Sequence, residues 1–314
     1  MINRAILPLL VIGTLVGGAV LIGSRLWHTE PYEFVMSWGE KGSDDGEFLY
    51  VEDLEIDANG HLLITDALSA YVQVFTTDGT FLTKFGGKGN RDDSFEKPEG
   101  IVVDAEGNIY VGDYLSGTIK KFDRNYQWVA TFAGLGTEPG LTFEAEFACI
   151  GSNGLLYIAE AGNHRVSVFD LEGQFKFVIS EYGNAEGQVN RPQAVKCNSQ
   201  GYLYVTDQGN HRIMVFTSTG IFVRTWGKEG TAPGDFRQPM GLAIDEHDQV
   251  YVTEVGNNRI QKFDAGGRFI SMWGTGGSRS GEFGNLHGII VDKEGHVYVG
   301  DTANHRIQKF RPAR

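Results

Sequence analysis

Residues 301–310 read DTANHRIQKF, and nearly the same ten residues occur earlier as DQGNHRIMVF (207–216) and EAGNHRVSVF (160–169). The acidic residue that opens this stretch recurs at Asp66, Asp113, Glu160, Asp207, Glu254 and Asp301, and the phenylalanine that closes it at Phe75, Phe122, Phe169, Phe216, Phe263 and Phe310. Both series advance by 47 residues without an insertion or deletion, and the 282 residues from Glu33 to Arg314 hold six such periods. A fixed period of this size marks a repeat architecture, in which one unit cannot bury its apolar surface alone and must stack on its neighbours.

Each repeat reads as four short strands: FVRTWG (222–227), GLAID (241–245), VYVTE (250–254) and RIQKF (259–263) in one example. A glycine-rich loop follows the first strand, and turns of the Asp-x-x-Gly kind, such as DANG (57–60), DAEG (104–107) and DKEG (292–295), separate the next two. These turns lack the carboxylate density of an EF-hand loop and are read as turn chemistry. Four strands per 47 residues predict an all-β, six-bladed propeller. The repetitive part begins inside a first-type strand (Phe34–Gly39) and stops after the RIQKF-type strand at Phe310. Pairing these two segments would close the ring and remove an open edge.

The motif Asn163-His164-Arg165, Asn210-His211-Arg212, Asn257-Asn258-Arg259 and Asn304-His305-Arg306 resembles that of the NHL repeat family, over residues 33–314. The first two repeats depart from it, reading DALSAYVQVF and DYLSGTIKKF. The resemblance implies a six-bladed propeller and leaves function open, since one fold hosts many activities. His164, His211 and His305 lie in different blades, some 10 Å outward of the tunnel at about 4.8 Å per strand, and cannot meet at one metal. The motif is therefore read as architecture, with Asp66, Asp113, Glu160, Asp207, Glu254 and Asp301 ending one strand and Arg165, Arg212, Arg259 and Arg306 beginning the next and pairing back to the acid.

Chemistry is expected where side chains converge, at the innermost strand. The residues entering those strands are Glu52, Glu99, Glu146, Gln193, Met240 and His287, again every 47 positions. No basic residue stands in this ring. Two readings stay open: Glu52, Glu99, Glu146 and His287 hold Ca²⁺ or Zn²⁺ at the tunnel mouth, with Gln193 and Met240 completing a ligand site, or the mouth is a hydrated acidic funnel. Loops 39–52, 86–99 and 133–146 on this face hold twelve acidic and four basic residues, against five and four in loops 180–193, 227–240 and 274–287. Half of the face is thus strongly negative, which suits a cationic partner.

With a formal charge of −13 the chain is a poor nucleic-acid binder, since polyanions reward dense Lys and Arg. Its two cysteines, Cys149 and Cys197, form no zinc spacing. They fall one residue out of phase in neighbouring blades, so they are expected on opposite faces as small buried apolar groups rather than as a disulfide.

Residues 5–23, AILPLLVIGTLVGGAVLIG, carry no charge between Arg4 and Arg25. As a helix they would span about 28 Å, close to the bilayer core, and no small-x-small cleavage site follows them. The expected organisation is a tail (1–4), a transmembrane signal-anchor (5–23), a juxtamembrane linker (24–32) and the propeller (33–314), with the propeller extracytoplasmic. Charge flanking gives no orientation, and Gly13-x-x-x-Gly17 could pack two anchors together, the propeller itself being monomeric. The functional expectation is a membrane-tethered binding or scaffold propeller recognising a protein, peptide or small ligand on its loop face. The alternative is a metal-dependent lyase or hydrolase. Amidating lyases that are similar propellers hold zinc with histidines entering inner strands, where only His287 matches, and lactonase-type hydrolases would accommodate glutamate better.

Overall fold

The computed structural model describes residues 32–313 throughout, and ahead of them only Ala19–Leu21 and Leu26–His28. Six four-stranded antiparallel sheets follow one another as blades around a central tunnel. Their inner strands are Val51–Ile56, Pro98–Val103, Ala145–Ile150, Pro192–Cys197, Pro239–Ile244 and Leu286–Val291, opening blades 1 to 6. Blade 6 has the order Leu286–Val291, Val297–Asp301, Arg306–Pro312, Tyr32–Trp38, so the N-terminal strand closes the ring against the C-terminal one. The closing strand begins at Tyr32, within the segment expected as linker, and Tyr32 stacks on Trp273 of blade 5 at 4.2 Å between ring centroids.

Residues expected as anchor and linker fall mostly outside the described residues. Ala19–Leu21 is an extended strand paired antiparallel with Leu26–His28, and the remainder of 5–23 lies outside the description. Among the described residues no helix is long and apolar enough to cross a membrane.

Blade-to-blade stacking buries both faces of each sheet, which is why the second strands are apolar at successive positions instead of alternating. Tyr110, Tyr157, Tyr204, Tyr251 and Tyr298 repeat every 47 residues and are almost wholly buried. One such interface joins Tyr157, Val166 and Val168 of blade 3 to Val195, Leu203 and Met214 of blade 4. Cys149 lies inside it and Cys197 packs against it, and the two form a disulfide with Cα atoms 6.0 Å apart. This corrects the sequence expectation, and the geometry explains the error. Neighbouring blades meet through opposite faces, so a one-residue phase difference aims the two thiols into the same cleft.

The inner strands carry the site through a shared irregularity. In blade 1 the register runs Val51↔Asp66 and then Leu54↔Ile64, a bulge at Glu52–Asp53, and all six blades repeat it at the equivalent place. A bulge re-aims side chains at the end of a strand. Glycine then lets the next blade approach: a Cβ on Gly100 would lie 2.3 Å from the Glu146 carbonyl oxygen, and one on Gly288 would lie 2.5 Å from that of Glu52. Thr65 accepts the Asp53 N–H (2.9 Å) and donates to the Glu99 carbonyl (2.7 Å), and Thr253 does the same between Gly241 (2.8 Å) and His287 (2.7 Å).

Candidate functional site at the tunnel mouth

The repeated Asn-His-Arg loops lie away from the mouth and are structural. In blade 4, Asp207 accepts from Asn210 Nδ2 (2.8 Å) and Arg212 Nε (2.7 Å), while the guanidinium also donates to the Asn184, Ala185 and Gln188 carbonyls. Glu160–Arg165 (3.1 Å), Glu254–Arg259 (2.5 Å) and Asp301–Arg306 (2.7 Å) repeat the pair. Asp66 and Asp113 of blades 1 and 2 have no such arginine and accept backbone N–H groups of Leu49, Tyr50, Glu96 and Lys97. The histidines join blades. His164 Nδ1 accepts the Arg191 N–H (3.0 Å), His211 Nδ1 accepts the Gln238 N–H (3.1 Å), and His305 Nδ1 donates to the Leu49 carbonyl (3.1 Å) across the closure. Each of the three adopts a left-handed backbone, φ 53–57°, which turns the ring toward the next blade.

At the mouth, Glu52, Glu99, Glu146, Gln193, Met240 and His287 form one buried ring, none more than 8% exposed. Glu52 is its centre of interaction: its Oε2 lies 2.6 Å from His287 Nδ1, and it shares a hydrogen bond with Glu99. Met240 sulfur receives a weak hydrogen bond from Gln208 Nε2 at 3.5 Å. Burial pushes Glu52 up to about 8, against an opposing pull from Lys97. Burial and then the neighbouring carboxyl groups, Glu52 for one and Glu99 for the other, hold Glu99 and Glu146 well above the usual carboxylate range. Burial brings His287 down to about 4, so its imidazole is neutral at pH 7.

The expectation that no basic residue serves this ring is corrected by Lys97. Its ammonium lies 2.5 Å from Glu99 Oε1 and 4.0 Å from the centre of the Tyr114 ring. Lys97 belongs to a second ring two positions earlier, Tyr50, Lys97, Glu144, Arg191, Gln238 and Asn285. The signal was the same 47-residue step, read two positions earlier. In that outer ring Arg191 lies 3.0 Å from Glu144, and the Tyr50 ring meets His287 edge-on at 5.5 Å. Burial, then Glu52, raises the Tyr50 hydroxyl above its ordinary range.

Among the described residues no three of Glu52, Glu99, Glu146 and His287 place donor atoms within 4.8 Å of one another. The set that does is Asp292, Glu294 and His296, in the turn at the opposite end of the tunnel. The mouth residues as arranged do not fit a three-ligand metal centre, and Lys97 already supplies a cation to Glu99. The arrangement can instead bind positive charge or move protons between Glu52, Glu99 and His287.

Solved structures of low sequence identity share the fold. A protein of unknown function from Bacteroides thetaiotaomicron is 17% identical, covering 89% of this chain and 75% of its own, with a TM-score of 0.71. Virginiamycin B lyase from Staphylococcus aureus is 16% identical over 88% and 94% of the two chains (TM-score 0.61), and a gluconolactonase from Xanthomonas campestris is 12% identical over 86% and 88% (TM-score 0.65). Among curated proteins none matches the chain. Residues 184–272 match a family described as a 6-bladed beta-propeller, and residues 144–169 and 283–310 match the NHL repeat. With six blades of 47-residue units around one tunnel and matches to the NHL repeat in its third and sixth units, the chain is a six-bladed β-propeller that carries NHL repeats.

Proposed function

We propose that the chain is a membrane-held, extracytoplasmic binding propeller whose tunnel mouth takes a positively charged group of its ligand. The observation that carries this reading is that three carboxyl groups, each 4% exposed or less, surround the ammonium of Lys97, which bonds Glu99 directly and acts on Glu52 and Glu146 through charge. Buried carboxyls in that ratio hold protons until a second cation arrives, and an incoming ammonium or guanidinium would be bound in their place. The Cys149–Cys197 disulfide supports an oxidising compartment, and the uncharged tract 5–23 supports a membrane tether. Calorimetric titration of the full chain with lysine methyl ester at pH 7.5 tests the mouth. Binding that weakens about tenfold in Glu146→Gln is expected. Equal binding of acetate, or an unchanged Glu146→Gln, refutes it.

A second reading is favoured by His287. Glu52 holds its Nδ1, its Nε2 has no hydrogen bond among the described residues, and the ring is neutral at pH 7. That is the arrangement of a general base oriented by a carboxyl group. Lyase and lactonase structures with this fold make elimination or lactone opening the reactions to assay. Turnover abolished in His287→Ala supports this reading, and turnover indifferent to it excludes His287 as the base.

A further inference from the structure

The loop face that carries the mouth also bears, on blades 2 to 4, apolar side chains that the repeat does not require. Leu115, Leu135, Phe143 and Tyr182 stand on the loops of blades 2 to 4 and are between 40% and 66% exposed. Their loops adjoin one another. Gly117, two residues after Leu115, abuts the Leu135 backbone, where a Cβ on the glycine would lie 2.6 Å from the Leu135 Cα. Leu135 is bridged to Thr142, the residue before Phe143. The Phe143 ring covers Gly162, where a Cβ would lie 2.5 Å from its Cδ1, and His164 of that same loop lies 4.7 Å from the Tyr182 ring.

In blades 5 and 6 the corresponding positions are different. Glu229 and Gly276 stand where Leu135 and Tyr182 would be, Arg237 and Gly284 where Phe143 would be, and Gly256 and Ala303 where Leu115 would be. A fold that closes equally well with charge or glycine at these places does not demand apolar side chains there. Exposed leucine and aromatic side chains gathered on adjoining loops mark a docking surface.

Charge selects the occupant. Loop 133–146, which carries Leu135 and Phe143, holds Glu138, Glu144 and Glu146 and no basic residue of its own, and it ends in the mouth ring itself. Arg191 of the next blade pairs with Glu144, leaving Glu138 and Glu146 to meet a cation. We infer that the loop face of blades 2 to 4 docks an extended cationic peptide, its aliphatic or aromatic side chains lying on Leu115, Leu135, Phe143 and Tyr182 and a lysine or arginine entering the tunnel mouth. The inference rests on the mouth reading above and adds the class of partner. Electrostatic attraction would orient the peptide and the apolar strip would set its dissociation rate.

The test uses the full chain and a fluorescein-labelled peptide of alternating lysine and leucine spaced by glycine, followed by anisotropy. Binding is expected to weaken about tenfold in the Phe143→Ser/Tyr182→Ser double variant, and also when glutamine replaces the peptide lysines. Both substitutions sit on exposed loops, and an unchanged melting temperature confirms the fold. A variant that binds like the parent, or a glutamate-leucine peptide that binds as well, overturns the proposal. If Glu146→Gln abolishes binding while the double variant is silent, the mouth reading survives and the strip does not. If the double variant weakens binding while Glu146→Gln is silent, the strip survives and the mouth reading fails. Phosphatidylcholine vesicles that bind the parent but not the double variant make the strip a membrane contact and overturn the peptide.

Discussion

Blades 3 to 6 and blades 1 and 2 hold the same buried acidic residue in two ways. In the larger group an asparagine and an arginine satisfy it, and the arginine reaches on to several loop carbonyls, so one side chain fixes both the strand end and the loop above it. All six acids accept a backbone N–H from the preceding loop; in the smaller group Tyr71 and Thr118 replace the arginine, and Asp66 and Asp113 accept a second loop N–H instead of the side-chain clamp. The loops there are held in part by Gln73, which donates to the Glu47 carbonyl (2.6 Å), and Lys120, which donates to the Asp92 carbonyl (2.6 Å). The blades without the clamp are those that supply Glu52, Glu99 and the reaching ammonium of Lys97. Clamped blades 3 and 6 supply Glu146 and His287 to the same ring, so the clamp is compatible with a titratable mouth residue and is absent only from the two blades that meet at Lys97.

The largest expected effect lies at the seam between the two groups. Removing Tyr32–Trp38 strips blade 6 of its outer strand and exposes the edge of Arg306–Pro312, so the full chain lacking these seven residues should lose its cooperative melting transition. A melting curve like the parent's would show that the ring does not need closure. Next in size is the clamp. Arg259→Ala leaves Glu254 buried without its charge partner and should cost about 3–5 kcal/mol in chemical denaturation, while Tyr71→Ala at the equivalent place in blade 1 costs roughly 1–3 kcal/mol. Equal losses would erase the distinction between the two groups.

The disulfide comes third. It closes a sequence separation of 48 residues within the clamped group, and Cys149→Ser/Cys197→Ser should cost about 2–4 kcal/mol, matched by the effect of reductant on the parent. Reductant that leaves the parent's stability unmoved would remove the argument for an oxidising compartment.

The smallest effect is a pH dependence set by the mouth ring, to which unclamped and clamped blades both contribute. Glu52 sits near 8 when folded against 4.5 ordinarily, so the folded state holds the extra proton and stability declines as pH rises across that window. His287, near 4 against 6.5, acts in reverse: the unfolded chain binds the extra proton, and stability rises with pH between those values. The carboxyl effect therefore stands alone from about pH 6.5 to 8. Glu52→Gln should flatten part of the decline and raise stability by roughly 1–3 kcal/mol at pH 8.5, with Glu99 and Glu146 keeping the remainder. An identical slope in parent and variant would place the titration elsewhere.

Much of this is legible in the amino-acid sequence alone. A step of 47 residues with no slip put Glu52, Glu99, Glu146 and His287 at one level of one tunnel, and it predicted the closing strand, because position within a repeat fixes position in a blade. Side-chain reach was not legible. Lys97 enters the ring from two positions away because its stem spans the gap. The disulfide was misjudged because a rule about faces of one sheet was applied to two sheets that meet. The apolar strip is not legible in the repeat because Leu115, Phe143 and the position shared by Leu135 and Tyr182 are three different places in the unit, brought near one another only by the loops. The tract at 5–23 remains a matter of composition, apart from the three extended residues Ala19–Leu21.

Closure by the first strand also makes the propeller a mechanical device with a defined weak point. Any tension entering through the chain ahead of Tyr32 arrives first at the Tyr32–Pro312 pair and passes toward Ile307–Trp38. Pulled away from its partner, such a strand yields one rung at a time, whereas a pull along its axis loads every rung together. The cross-link between blades 3 and 4 lies across the ring from this strand, so a ruptured propeller would swing open at blade 6 while those two blades stayed bolted together. Release of seven residues by force would then relax the circle that holds Glu52 against His287, coupling tension on the chain to the integrity of the mouth.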